Sequence, residues 1–316
     1  MRVALAGDTM LGRGVAERIA TDPRSLVAPA LVAACREADV FLVNLECCIS
    51  DRGLPWPDPA KPFFFRAPPE AVDALTHIGV DCVTLANNHT LDFGEDALAD
   101  TLSHLDAAGI GHVGAGLDEA SARAPVVMDR DGMRLAVLGL ADHPPDYAAG
   151  PSRPGIAYGD LRRGLPGWVS EAVASVEADL VLVTPHWGPN MTPEPVPQVR
   201  AAARDLLGAG AGLVAGHSAH VFHGVEGPVL FDLGDFVDDY AVDPLLRNDL
   251  GLLWFVDVDA DGPRRLEALP MKLEYCHTEP ARGEEAAWIS RRLANVCGTM
   301  GTEVVEEDGR LVIAWR

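Results

Sequence analysis

The chain is poor in positive charge: 25 Lys+Arg stand against 47 Asp+Glu, a formal net charge of −22 with the histidines neutral. Such a field repels a phosphate backbone, and no lysine- or arginine-rich run reverses it locally, which excludes nucleic acid as a general partner. Long apolar runs are lacking as well. The opening MRVALAGDTM is interrupted by Asp8, and no later segment approaches membrane-spanning length, so no signal peptide, no membrane partner and a cytoplasmic chain are expected. Cys35, Cys47, Cys48, Cys82, Cys276 and Cys297 form no CxxC pair and follow no regular spacing, which sets aside a disulfide framework and predicts free, buried thiols. No internal repeat or low-complexity segment is present, and GLPWPDPAKP at 53–62 reads as a loop.

What is there is a globular composition, 48% hydrophobic and 23% charged, enough apolar mass for a core. Short runs rich in Leu and β-branched residues recur at 3–7, 40–45, 82–87, 134–140, 180–185 and 212–216 and predict buried strands. Between them, 68–79, 94–109 and 196–210 carry apolar residues at helical spacing with Gly at the C-terminal end. The alternation predicts an α/β fold with a mostly parallel or mixed sheet, because parallel strands need crossover connections. From about 221 the pattern changes to successive runs at 228–233, 251–259 and 264–273, with a DADG turn at 259–262. These predict antiparallel strands added to the same body, followed by a helix near 283–297 and a last strand near 310–315. No linker divides the chain, so residues 1–316 are expected to form a single domain.

The chemistry-bearing residues follow the predicted strands. Asp8 follows VALAG; Asn44 and Glu46 end VFLVNLE; Asn88 and His89 end TLANNH; His186 follows LVLVTP; His217 and His220 lie in GHSAH. Loops at the carboxyl ends of strands converge on the ligand site in open α/β sheets, so these side chains are expected to meet. Oxygen and imidazole donors without thiolates suit Mn, Fe, Zn or Mg, and their number exceeds what one tetrahedral centre needs. A pair of ions predicts hydrolysis of a phosphoester. Taken singly, Asp8 equally caps the next helix and Asn88 satisfies a turn. His77, His104, His112, His143 and His277 read as structural residues outside the site. Asp92 either orients His89 or caps the helix near Gly94. Arg13 and Arg66 read as holding an anionic substrate or as surface ion pairs, and His223 as a substrate contact or an idle surface imidazole.

In order, GDTMLGR, NLE, FFFRAPPE, LANNHTLDFG, PHWG, GHSAHVFHGVE and LGDFVDD resemble the capsule-biosynthesis CapA family, a branch of the calcineurin-like metallophosphatases; LANNHTLDFG is the most specific of these motifs. The resemblance runs from residue 1 to about 240. It implies a four-layer α/β/β/α sandwich with mixed sheets, a metal site at the strand ends and a role in poly-γ-glutamate capsule synthesis. By motif, Asp8, Glu46 and His220 resemble the ligands of one divalent ion, and Glu46, Asn88, His186 and His217 those of a second, with Mn, Fe or Zn as the expected metals. His89 resembles the proton donor. The sequence departs from the superfamily at Met10, where a His ligand is common, and at Asp235, which replaces an Asn and is a candidate for the missing donor.

Three functions are compatible with these residues. The first is a metal-dependent hydrolase of a phosphoester on a small anionic metabolite. The second acts on γ-glutamyl amide bonds of a peptide-like anionic substrate, since a carbonyl and a phosphoryl oxygen are polarised alike. The third is a non-catalytic binding or assembly protein that keeps the fold with a degraded site.

Overall fold

A computed structural model of the chain describes residues 1–130 and 132–315. The strands that carry the two main sheets are β1 (Arg2–Thr9), β2 (Val40–Leu45), β3 (Cys82–Thr84), β4 (Met133–Ala141), β5 (Leu180–His186), β6 (Leu213–Ala215), β7 (Asp235–Val237), β8 (Leu250–Asp259) and β9 (Gly262–Glu274). The larger sheet runs through β9, β8, β1, β2 and β3, with β7 parallel to β1 and the C-terminal strand Arg310–Ala314 antiparallel to β9. β1, β2 and β3 are parallel, whereas β8 and β9 are antiparallel additions, as the change of pattern after residue 221 predicts. A second sheet holds β4, β5 and β6, also parallel.

Why two sheets face each other is visible in the side-chain alternation, since successive residues of a strand point to opposite faces. On β1, Val3 and Leu5 pack with Leu135 and Val137 of β4 and Leu182 of β5 between the sheets. Ala4 and Ala6 turn the other way, onto Val15, Ile19 and Leu31 of the helices Arg13–Thr21 and Pro29–Cys35. On the second sheet, Leu138, Val181 and Val183 face away from the first and pack on Val199, Ala202 and Leu206 of the helix Pro197–Ala209. The layers are therefore helix, sheet, sheet, helix, a four-layer α/β sandwich. A fully buried side chain such as Leu5 contributes roughly 1.5–3 kcal/mol to that arrangement.

The helices Ala71–Ile78, Gly94–Ala108 and Pro197–Ala209 end on Gly79, Gly109 and Gly210, near the boundaries expected from sequence. The run at 228–233 differs from the expected antiparallel strand: only Val229–Leu230 is strand, parallel to β6 and paired back onto Val225–Glu226, and the chain then turns at Gly234 into β7. Residues 53–62 carry no helix or strand, and the short strands Cys48–Ile49 and Arg66–Ala67 pair on either side of that stretch. All six cysteines are buried and free; burial pushes the Cys35, Cys48 and Cys82 thiols up to about 12, which suits packing and not ligation. Among the described residues, no helix is long and apolar enough to cross a membrane.

Candidate functional site

Sheet register carries the centre of the site. Asp8 on β1 lies opposite Asn44 on β2 and Asp235 on β7, while His186 at the end of β5 bridges to His217 after β6. β1 and β7 approach so closely that a Cβ on Gly7 would sit 1.7 Å from the Gly234 carbonyl oxygen, so only glycine permits Asp8 and Asp235 to share one rim. The two sheets then touch through polar groups. Asn44 Nδ2 donates to Asp8 Oδ1 at 2.7 Å and lies 3.4 Å from His186 Nδ1; His217 Nδ1 and His220 Nδ1 each lie 3.3 Å from an Asp8 oxygen. Glu46, one step past β2, is fully buried and accepts from the Tyr240 hydroxyl at 3.1 Å.

Two groups of donors have the spacing of an ion site. Asp8, Glu46 and His186 each offer one ligand atom within 4.8 Å of the others, and Asp8, His220 and Asp235 do the same. Asp8, and not Glu46, is common to both, which differs from the sharing that the motifs imply. Asp235 is 2.8 Å from His220 Nδ1. Asp8 Oδ2, Glu46 Oε1, Asn88 Oδ1, His186 Nε2, His217 Nδ1 and Asp235 Oδ2 are buried without a hydrogen bond among the described residues. Buried polar atoms are ordinarily satisfied, so this concentration of orphans at one rim fits divalent cations, and the oxygen and imidazole donors match their chemistry. Met10 is not among them: its buried sulfur accepts from the Gly12 N–H at 3.0 Å.

The electrostatics are those of a site short of positive charge. Burial pushes the Glu46 carboxyl well up, and the neighbouring Asp8 charge adds to it. Asp235 is raised well above its ordinary value by burial and by Asp238, whose own carboxyl rises to about 6. Burial also acts on Asp8, but the close imidazoles of His217, His220 and His186 outweigh it and hold this carboxyl low. His186 is lowered well below the usual histidine range, chiefly by burial, which leaves it neutral and able to ligate. His220 is raised, because Glu46 and Asp8 overcome its burial.

Beside this centre stands a histidine held by a carboxylate. His89 Nδ1 is 2.7 Å from Asp92 Oδ2, which also accepts the Phe65 N–H at 2.6 Å; Asp92 Oδ1 takes the Tyr147 hydroxyl at 3.1 Å and Lys61 Nζ at 2.9 Å. Asp92 is thus an orienting group and not a helix cap: the cap of Gly94–Ala108 is Phe93, which makes no side-chain bond there. Asp8 does not cap either, since Gly12 precedes Arg13–Thr21. Turn chemistry falls to Asn87 and not Asn88. Asn87 Oδ1 accepts the His89 N–H at 3.0 Å, and Nδ2 donates to Asn44 Oδ1 and the Leu45 carbonyl at 2.9 Å each. That frees the Asn88 side chain. Burial lowers the His89 imidazole despite Asp92.

His89 and His220 open onto a cavity of about 570 Å³ lined also by Arg13, Phe63, Phe65, Met191 and Tyr240. Arg13, Met191 and His220 have φ of 51°, 53° and 58°, and neighbouring Ser218 has 112°. Left-handed backbone at non-glycine residues costs about 1–3 kcal/mol each and gathers at functional sites. Arg13 lines the cavity but is already ion-paired with Asp239. Arg66 is elsewhere, stacked 4.2 Å over Phe93 and bonded to the Arg52 carbonyl. His223 is not an exposed imidazole: it is 4% exposed, with Nε2 on the Thr192 carbonyl at 2.9 Å, outside this cavity. His143, expected outside the site, has its ring 5.3 Å from that of His186 and pairs with Asp142. Lys61, Tyr147, Asn87 and Tyr240 were not marked by sequence; the first two come from loops with no strand-end signature, and Asn87 adjoins an equivalent amide.

The family model described as bacterial capsule synthesis protein PGA_cap matches residues 2–240. A probable polyglutamine synthesis accessory protein of Mycobacterium tuberculosis is 32% identical over 292 residues, covering 87% of this chain and 76% of that protein. The PGA biosynthesis protein CapA of Bacillus subtilis is 28% identical over 288 residues, covering 89% and 74%. A solved structure described as a novel phosphatase from Mycoplasma pneumoniae superposes with a TM-score of 0.51 over 86% of this chain and 93% of the other, at 14% identity, a likeness of fold. By motif, by family model and by relatives along most of its length, the chain belongs to the bacterial capsule synthesis protein family PGA_cap.

Proposed function

We propose that the chain is a metal-dependent hydrolase of a phosphoester. The observation that carries this reading is the set of buried, unpartnered oxygen and imidazole atoms of Asp8, Glu46, Asn88, His186, His217 and Asp235 at one rim, beside a histidine already fixed by a carboxylate. In this reading Asp8, His220 and Asp235 hold one divalent ion, and Glu46, Asn88, His186 and His217 hold a second with Asp8 shared. Mn, Fe or Zn fits these donors. The bound ions would supply an activated water and charge neutralisation at the phosphoryl oxygens.

The remaining work falls to the chain's own groups. Asp92 accepts the Nδ1–H of His89, so a second proton taken up by the ring sits on Nε2, the nitrogen that would give it to the leaving oxygen. Lys61, Tyr147 and the Phe65 N–H hold Asp92 in turn, so the imidazole cannot rotate away when substrate binds. Phe65 stacks 4.0 Å from the His89 ring and keeps water from one face. The substrate is a small anionic ester, reached without nucleic acid or membrane, and the six free thiols fit a reducing cytoplasm.

A second reading, action on γ-glutamyl amide bonds, rests on the relatives, which are named for polyglutamine synthesis and PGA biosynthesis. Elemental analysis of the purified chain, followed by a panel of phosphomonoesters, phosphodiesters and γ-glutamyl amides with and without chelator, decides between them. Bound metal with chelator-sensitive phosphoester turnover is the expected result; full activity without metal, or turnover of the amides alone, overturns the first reading.

A further inference from the structure

We propose that the cleft beside His89 receives a flat, uncharged ring as the organic part of the ester and discriminates against esters that carry further carboxylates. This rests on the phosphoester reading and names the substrate class for the same site.

The walls of the cleft are aromatic where they adjoin the proton donor. Phe65 stacks on His89, and Phe63 lies 6.3 Å from Phe65 at an interplanar angle of 13°, so the buried Phe65 ring backs an exposed ring of nearly the same orientation. Tyr240 closes the third side, 5.8 Å from Phe65. Phe63 is 53% exposed and Met191 37%, apolar surface that is left to water at the mouth of a polar site. Both side chains line the same cavity, where an apolar group would bury their surface.

Charge bookkeeping decides what that face accepts. The phosphoryl group is the one anionic part that the rim is built to neutralise. Farther out, the nearby cations among the described residues are already engaged. Arg13 is threaded among the rings, 4.9 Å from Phe65, 5.5 Å from Tyr240 and 5.7 Å from Phe63, and its Nε lies 2.9 Å from Asp239. Lys61 is 2.9 Å from Asp92. Arg247, next to the cleft residue Asn248, holds Asp249 through two contacts of 2.7 Å. With Asp239 paired to Arg13, Asp238 adds negative charge to the same loop, on a chain whose net charge is −22. A second carboxylate on the substrate finds no partner there and meets repulsion. A neutral ring instead covers Phe63 and Met191 and meets the flat face of the Arg13 guanidinium, an arrangement that attracts π systems.

The test uses the manganese-loaded chain and three phosphonates that cannot be hydrolysed: phenylphosphonate, methylphosphonate and 3-phosphonopropionate, with affinities by titration calorimetry. Phenylphosphonate is expected to bind about tenfold or more tightly than methylphosphonate, and 3-phosphonopropionate no more tightly than methylphosphonate. Phe63→Ala removes an exposed ring and is expected to abolish the difference between phenyl and methyl. Phe63→Lys, which adds an unpaired cation at the same place, is expected to improve 3-phosphonopropionate. Equal affinity for phenyl and methyl, tightest binding of 3-phosphonopropionate by the unaltered chain, an unaffected ratio in Phe63→Ala, or no binding by any of the three overturns the proposal. Turnover of esters is read separately: a phosphonate ranking as expected with no ester hydrolysed removes the hydrolase reading and keeps the cleft preference, whereas hydrolysis without the ranking does the reverse.

Discussion

The two ends of β1 treat charge in opposite ways. At its first residue, Arg2 joins a network in which Glu267 pairs with Arg2, Arg265 and Arg310, and Arg310 reaches Glu37 at 2.7 Å. Arg2 and Arg310 also lie 5.0 and 4.8 Å over the Phe255 ring. Six residues later the same strand delivers Asp8 into a fully buried cluster where Asp8, Glu46 and Asp235 each keep an oxygen with no hydrogen bond. The first end is arranged as charges are when they serve the fold, half-buried and matched. The second is arranged as they are when something else completes them, so stability and function separate along one strand.

The largest expected effect is at the rim and is read in turnover. His89→Ala removes the oriented imidazole and should lower kcat by about 10²–10⁴-fold with metal content unchanged, while the lost Phe65 stack and Asp92 bond lower the melting temperature. Steady-state kinetics beside elemental analysis checks it. An equal loss of metal would place His89 among the ligands and not at the leaving group.

A buried imidazole that belongs to neither end gives the next effect. His223 is lowered to about 4 from an ordinary value near 6.5, first by burial and then by Arg292 and Arg200, against the Thr192 carbonyl. Between those values the unfolded chain takes the proton more readily than the folded one. The His223 contribution is therefore complete above pH 6.5 and is lost as the pH falls toward 4, by about 3 kcal/mol at most. His223→Gln keeps a donor for Thr192 and should flatten that acid limb in urea unfolding followed from pH 7 to pH 4. A change in substrate KM instead of the limb would return His223 to the substrate-contact role read from its sequence position.

Smaller still is the paired end. Glu267→Gln leaves three guanidinium groups sharing a weaker acceptor and should cost about 1 kcal/mol, less in high salt, with kinetics untouched. Urea unfolding at two salt concentrations reads it directly.

Much of this architecture was legible because its signals are local. An apolar run followed at once by Asp, Glu, Asn or His marks a strand end, and strand ends share a rim, so Asp8, Glu46, His186, His217 and His220 were visible as one set. What escaped depends on contacts between distant loops. Lys61 comes from the proline-rich stretch and Tyr147 from a short turn, yet both land on Asp92. Arg13 looks free to hold an anion until Asp239, 226 residues away, is seen against it. His143 looks structural because nothing in ADHPPD reports that its ring stands beside His186. Which of two adjacent amides turns inward is equally silent in sequence, and Asn87 takes the turn while Asn88 keeps a free oxygen.

Asp235→Asn probes the contrast between the two ends by sign as well as size. Its carboxylate is fully buried 2.8 Å from His220, with the second oxygen unpartnered and Asp8 and Asp238 nearby. In chelator the neighbouring imidazoles, His220 first, offset that crowding of carboxylates only in part, so replacing one by a neutral amide of the same shape, which keeps an acceptor for His220, should raise stability by about 1 kcal/mol. With manganese or zinc added, the same substitution removes a ligand, and the metal-induced rise in melting temperature should shrink. Glu267→Gln, by contrast, should destabilise equally with and without metal. Thermal unfolding of both variants under both conditions reads the two signs together: a loss of stability for Asp235→Asn in chelator would mean that its carboxylate is held by the fold itself, and the distinction between the two ends of β1 would disappear.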